Sequence, residues 1–379
     1  MRIVFTGGGS GGHFYPLIAV AEHIEDLVDA RRLVSPEFFY IGPPAFDDAA
    51  LVEHDISYRP SPAGKLRTYP SILNVFDVFK TFVGIIKSIF QLFSIYPDVV
   101  FSTGGYAAFP TLYAARTLNI PVVIYDADAK PGRVSLWSSK FAKWVAVAHP
   151  EAVAQYSSKV KSRIALIGHP IRKEIENPTK EGGYEFLKLQ PRATVFIMGG
   201  SQGAQAINEA VLNALPDLLS KYNVVHQTGK SNLEELNGIA NVILKDSPYK
   251  ERYRTFGLLN TLALRMTAGI ASLVVARAGS GTIFEIASWK LPSIIIPLPK
   301  EISNDQTENA FSYARTGASV VVDQKNLTPH LLAAEIDRVM NDEMTRAKMS
   351  AAAAQFARPD AGGKLATILL ETALSHEPL

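Results

Sequence analysis

The chain of 379 residues is 47% hydrophobic, with a mean hydropathy of +0.09, enough apolar material for two domains with sizeable cores. A formal net charge of +2, from scattered lysines and arginines, excludes the electrostatic footprint of a nucleic-acid duplex binder. The absence of cysteine excludes disulfides and thiolate chemistry and fits a reducing compartment. The opening MRIVFTGGG reaches its glycines after too few apolar residues for the core of a secretory signal, so a cytoplasmic location is expected.

In chain order, short β-branched and aromatic runs alternate with helical stretches. The first half offers RIVFT, EFFYI, DVVFS, PVVIYD, WVAVA and RIALIG; the second offers TVFIM, NVVHQTG, NVIL, SLVVAR, PSIIIPL and ASVVV. Such alternation predicts an α/β protein with one parallel sheet per half. Two glycine-rich stretches, VFTGGGSGGH from Val4 and VFIMGGSQGA from Val195, each open on the first strand of their half and share three glycines and a serine at a constant offset (Gly8 and Gly199, Gly9 and Gly200, Ser10 and Ser201, Gly12 and Gly203). Duplication of a βα domain is the simplest account. The boundary is expected in the polar stretch 170–192. Residues 328–372 read as helical, with Gly362 and Gly363 as the strongest break.

Glycine-rich strand-to-helix turns present backbone N–H groups and helix N-termini to anions, which points to phosphate. Glycines that only allow close packing of helix on strand are the alternative. A dinucleotide site also needs an acidic residue after the second strand, and YIGP and HQTG, which end those strands, have none. From Ile72 to Tyr96 a long helix is expected, with a polar stripe through Lys80, Lys87 and Gln91 and, opposite it, an apolar face of Phe79, Phe82, Ile86 and Ile89. That face is expected to meet a lipid surface, with Lys65 and Arg67 beside it for anionic headgroups; burial in the core is the alternative.

The opening GGGSGGHFYPLIAVAEHI resembles the glycine loop of the MurG-type N-acetylglucosaminyltransferases, with Ser10 where threonine is usual. The likeness continues through DVVFSTGGYAAFP, IGHPIR, MGGSQGAQAIN, ARAGSGTIFEIASWKLPSIIIPLP, NDQTENA and FARPDA. It implies the GT-B architecture: Rossmann-like domains over 1–168 and 169–355 facing a cleft, and a last helix, 356–379, packing back on the first domain. It also implies inverting transfer of GlcNAc from UDP-GlcNAc to the MurNAc 4-hydroxyl of lipid I, at the cytoplasmic face of the membrane. Rival readings are another GT-B glycosyltransferase acting on a lipid or small aglycone, a UDP-GlcNAc 2-epimerase, and a non-catalytic sugar-nucleotide binder.

The resemblance assigns donor contacts to Ser10, Gly11, Gly12, Asp128, Arg172, Ser201, Gln202, Phe256, Ser280, Gly281, Thr282, Glu285, Gln306 and Asn309. Arg172, Ser201 and Gln202 are expected at the diphosphate, Glu285 at the ribose hydroxyls and Phe256 near the uracil. Gln306 and Asn309 fall in the sugar-reading segment, where Asp305 replaces a frequent histidine. Gly104, Gly105 and Tyr106 are assigned to the acceptor. His13 and Asp126 are the candidate bases, and an imidazole is the better match near neutral pH. Tyr125-Asp126-Ala127-Asp128 departs from the family's His-Glu-Gln-Asn, shortening the carboxylate by one methylene. No cofactor or metal is implied, because Asp126 and Asp128 stand in the half opposite the nucleotide loops.

Overall fold

The computed structural model describes residues 1–65, 73–200, 203–302 and 304–375. Ser201, Gln202 and Arg67, and the side chain of Asp305, lie outside what is described. The chain forms two compact units, Met1–Arg172 with Pro359–Leu379, and Lys173–Arg358.

The first unit holds a seven-stranded sheet: β1 (Arg2–Thr6), β2 (Glu37–Gly42), β3 (Ile56–Pro60), β4 (Val99–Ser102), β5 (Val122–Asp126), β6 (Trp144–Val147) and β7 (Ile164–Leu166). All pairings are parallel, in the order β3-β2-β1-β4-β5-β6-β7. The second unit holds β8 (Thr194–Met198), β9 (Asn223–Gln227), β10 (Tyr253–Phe256), β11 (Ala271–Ala276), β12 (Ser293–Ile295) and β13 (Ser319–Val321), in the order β10-β9-β8-β11-β12-β13. β4, β5, β8 and β9 are buried at every residue, which is why each carries a run of β-branched and aromatic residues at its centre.

Three expectations about the elements are corrected. NVIL is not a strand: it ends the helix Leu233–Ile243, whose buried Leu236 and Ala240 and the buried Leu244 recur every four residues, while Val242 is 77% exposed. The strand in its place is β10. The second correction is β3, absent from the expected list because only its first residue is buried and it closes with a proline at the sheet edge. The third is the C-terminal break, which falls at 357–360, between the helices Glu343–Phe356 and Ala361–Leu374. Gly362 lies inside the second of these, where a Cβ would fall 2.5 Å from the His23 ring on the helix Gly11–Arg31; it serves close packing. This last helix thus returns to the first unit.

The long apolar helix is Leu73–Ile95. Thr81, Gly84, Ser88 and Gln91 face inward. Gly64 N–H donates to Thr81 Oγ1 at 3.0 Å, Ser61 Oγ donates to the Gly84 carbonyl at 3.2 Å and lies 2.9 Å from Ser88 Oγ, and Gln91 Nε2 donates to the Pro60 carbonyl at 3.2 Å. A Cβ at Gly84 would fall 1.9 Å from the Pro62 carbonyl oxygen. The outward face carries Phe76, Phe79, Phe82, Val83, Ile86, Phe90 and Phe93, each at least 40% exposed, so the core alternative is not what the fold adopts. Lys80 and Lys87 are exposed along one edge of that face. Ile89 is a correction: it is half-buried against the core that includes Val4, Leu92 and Leu112, and Phe90 and Phe93 extend the exposed face instead.

Candidate active site

Each sheet reverses its strand order once, between β1 and β4 and between β8 and β11. Ligands of open α/β sheets bind beyond the carboxyl ends of the strands at such a reversal. In the first unit the glycine loop after β1 and the turn after β4 meet there. A Cβ at Gly7 would fall 2.0 Å from Thr103 Oγ1, so only glycine allows the two turns to approach. Ser10 is the extended residue that opens the helix, and Gly11 and Gly12 form its first turn, where N–H groups lack helical partners.

His13 is tied to the neighbouring turn twice. Its Nδ1 lies 2.8 Å from the Thr103 carbonyl oxygen, and Thr103 Oγ1 donates to the His13 carbonyl at 2.6 Å. A carbonyl only accepts, so the neutral ring carries its proton on Nδ1 and keeps the Nε2 lone pair. Nε2 faces Gly105, where a Cβ would lie 3.6 Å away. Gly104 and Gly105 both have left-handed backbones, with φ of +79° and +76°, and Tyr106 beyond them is 37% exposed.

Asp126 ends β5 and is 5% exposed. Tyr156 Oη donates to its Oδ2 and Ser135 supplies a second side-chain hydrogen bond. Burial is the main cause that pushes its carboxyl up to about 6; Asp128 adds to the rise, while Tyr156, Ser135 and His13 oppose it. Asp128 is partly exposed two residues on. Arg172 stays in the first unit, its guanidinium 4.4 Å from the centre of the Tyr15 ring on the helix Gly11–Arg31.

Sequence reasoning missed two histidines of this region. His149 and His169 are buried at 0% and 6% exposure, just beyond β6 and β7. Desolvation lowers His149 to about 4 and His169 to about 3, and His169 Nδ1 lies 2.8 Å from Tyr125 Oη. The available signal was a His-Pro pair shortly after each of two apolar strands.

In the second unit, the second glycine loop follows β8, with Gly200 and Gly203 at φ of +77° and +78°. After β11, Gly279 opens the helix Ser280–Ser288; Ser280 is buried, and Gly281, Thr282 and Glu285 are partly exposed. Asn309, 0% exposed, donates from Nδ2 to the Ala278 carbonyl at 3.2 Å and so holds the turn that precedes this helix. Gln306 Oε1 accepts from Leu298 N–H at 3.2 Å. Phe256 ends β10, and its carbonyl accepts from Thr228 N–H at 2.9 Å. Among the described residues no group of three histidine, aspartate or glutamate side chains is placed to hold a metal ion.

Residues 3–147 match the glycosyltransferase family 28 N-terminal domain and residues 194–364 the glycosyltransferase family 28 C-terminal domain. A Treponema denticola protein is 34% identical over 341 residues, covering 87% of this chain and 85% of its own. The chain belongs to glycosyltransferase family 28. The Treponema family member is named UDP-N-acetylglucosamine--N-acetylmuramyl-(pentapeptide) pyrophosphoryl-undecaprenol N-acetylglucosamine transferase. A Clostridium kluyveri member of the same name is 33% identical, over 94% of this chain and 96% of its own. The crystal structure of Acinetobacter baumannii MurG superposes with a TM-score of 0.73 at 24% identity, over 98% of this chain and 99% of that one. A UDP-GlcNAc 2-epimerase from Neisseria meningitidis, bound to UDP-GlcNAc, gives 0.65 at 15% identity, over 99% and 100%. The family 28 fold is therefore shared with epimerases, and fold alone does not separate the two activities.

Proposed function

We propose that this family 28 enzyme transfers GlcNAc from UDP-GlcNAc to the MurNAc 4-hydroxyl of lipid I with inversion at the anomeric carbon, giving lipid II and UDP. The observation that carries this reading is identity of 33–34% with transferases of that name over at least 85% of either chain. The acceptor oxygen forms the new bond to C1, the bond from C1 to the diphosphate breaks, and UDP leaves with the electron pair. The hydroxyl proton goes to His13, whose fixed tautomer leaves Nε2 able to accept it. Asp126 is committed to Tyr156 and Ser135, and its role is to hold the floor of the site.

On the donor side, Ser201, Gln202 and Arg172 neutralise the departing diphosphate, and the N-terminus of the helix Ser280–Ser288 faces the nucleotide with Glu285 accepting from the ribose hydroxyls. Gln306 and Asn309 support the sugar subsite, and Phe256 lies by the uracil. Ser10, Gly11, Gly12 and Asp128 complete the donor contacts, and Gly104, Gly105 and Tyr106 take the acceptor's diphosphate.

The helix Leu73–Ile95 lays its aromatic face on the inner leaflet at the cytoplasmic surface. Each phenylalanine transferred from water is worth about 1.5–3 kcal/mol, so five on one face suffice for peripheral binding. Lys65, Lys80 and Lys87 add attraction to anionic lipid. Radiolabelled UDP-GlcNAc offered with a lipid I analogue, with diacylglycerol, or alone tests the function. Label in the lipid I product supports it; label only in diacylglycerol, or as UDP-ManNAc or free ManNAc with no acceptor, replaces it with a rival.

A further inference from the structure

The second glycine loop rests on a buried chain of polar side chains that the proposed chemistry does not use. Asn208 Nδ2 donates to the Thr228 carbonyl at 3.0 Å, His226 Nε2 lies 3.0 Å from Asn208 Oδ1, and His226 Nδ1 lies 2.9 Å from Tyr253 Oη. Donor inventory fixes every proton. The Thr228 carbonyl only accepts, so Asn208 turns its amide nitrogen there and its oxygen to His226; Nε2 therefore donates, and Nδ1 accepts from Tyr253. Asn208 and His226 are 1% and 0% exposed, and burial lowers His226 to about 3, so the ring stays neutral at any working pH.

The Thr228 carbonyl is the surface against which the loop packs. Asn232 Nδ2 also donates to it, at 3.0 Å. Gly203 sits so close that a Cβ would fall 2.5 Å from that oxygen and 2.4 Å from Asn232 Nδ2, and Gly199 N–H donates to the neighbouring Gln227 carbonyl at 3.1 Å. Both ends of the glycine loop are thus set by the turn 227–229, and the turn is set by the side-chain chain behind it.

We propose that Asn208, His226 and Asn232 are positioning residues for the donor diphosphate: by fixing the Thr228 carbonyl they fix the turn 227–229 on which Gly199 and Gly203, the described ends of the glycine loop, rest. The inference rests on the assignment of this loop to the diphosphate. An apolar core would fill the same space, but only a hydrogen-bonded chain sets the direction of one carbonyl.

The test is calorimetric titration of the full-length protein with UDP and, separately, with uridine, which lacks the diphosphate. Asn208→Ala and His226→Leu are expected to weaken UDP by roughly five- to twentyfold, the loss of one or two buried hydrogen bonds, and to leave uridine within about twofold. His226→Gln, whose amide nitrogen reaches toward Asn208, restores most of the UDP affinity. Asn232→Ala, on the less buried side of the carbonyl, gives the same split should the core variants fail to fold. Equal weakening of UDP and uridine, or no change in either, overturns the positioning role. A parent protein that binds uridine as tightly as UDP overturns the loop assignment, and the inference with it.

Discussion

His13 is locked by two hydrogen bonds to Thr103, and that lock assigns its proton. General-base catalysis contributes about 10²- to 10⁴-fold, so His13→Ala is expected to lower kcat by that factor with UDP-GlcNAc binding nearly intact. Asp126→Asn is expected to cost less turnover, because Tyr156 donates to an amide oxygen as well as to a carboxylate. Retained turnover in His13→Ala moves the base role to Asp126. Asp126 also carries a pH signature. Its folded carboxyl, raised to about 6, lies above the ordinary value near 4, so the stability it contributes is present at low pH and is lost as pH rises through 6. Asp126→Asn removes that loss, and its melting temperature relative to the parent is expected to be more favourable at pH 8 than at pH 5. At the ribose, Glu285→Ala is expected to raise KM for UDP-GlcNAc about tenfold or more, since charged hydrogen bonds are worth about 1.5–3 kcal/mol; an unchanged KM removes the assignment.

Among elements, the helix Leu73–Ile95 packs one face on the rest of its unit and exposes an aromatic face opposite. Gly84 lets it seat on the Pro62 backbone, and Gly84→Ala is expected to destabilise the protein by roughly 1–3 kcal/mol in chemical denaturation, because the space for a Cβ is already filled. Serine at Phe79, Phe82, Ile86 and Phe90 is expected to abolish flotation with anionic liposomes while leaving the melting temperature unchanged; a large drop in melting temperature instead makes the face structural. Sequence periodicity found this helix and its amphipathic character but placed Ile89 on the exposed face, where Phe90 and Phe93 stand instead. The expected polar stripe splits in the structure: Lys80 and Lys87 are exposed, whereas Thr81, Gly84 and Ser88 form the side that permits close approach. Central strands were legible because burial on both faces leaves them predominantly apolar. Edge strands such as β3 and β10 were not, because only part of each is buried. The glycine turns and His13 were legible from local spacing; His149, His169 and the Asn208–His226–Tyr253 chain were not, because separate strands and helices bring those residues together.

For the whole molecule, buried histidines in both units are expected to weaken the fold in acid. His149 in the folded state is lowered to about 4, and His169 and His226 to about 3, from an ordinary value of 6.5. A depressed histidine contributes stability above its unfolded value and loses it as pH falls toward the folded one, by up to about 1.4 kcal/mol per pH unit per group. The protein is expected to lose stability steeply between pH 6.5 and 4, as read by urea midpoints; His226→Gln is expected to flatten that fall. Each unit carries a glycine-rich turn at the strand-order reversal of its own sheet. The most direct measurement is a single-turnover reaction of the purified protein with UDP-GlcNAc and a lipid I analogue, followed by NMR of the product. The account predicts stoichiometric UDP and a β-linked GlcNAc on the MurNAc 4-oxygen. An α linkage, a different acceptor atom, or no sugar transferred would contradict it.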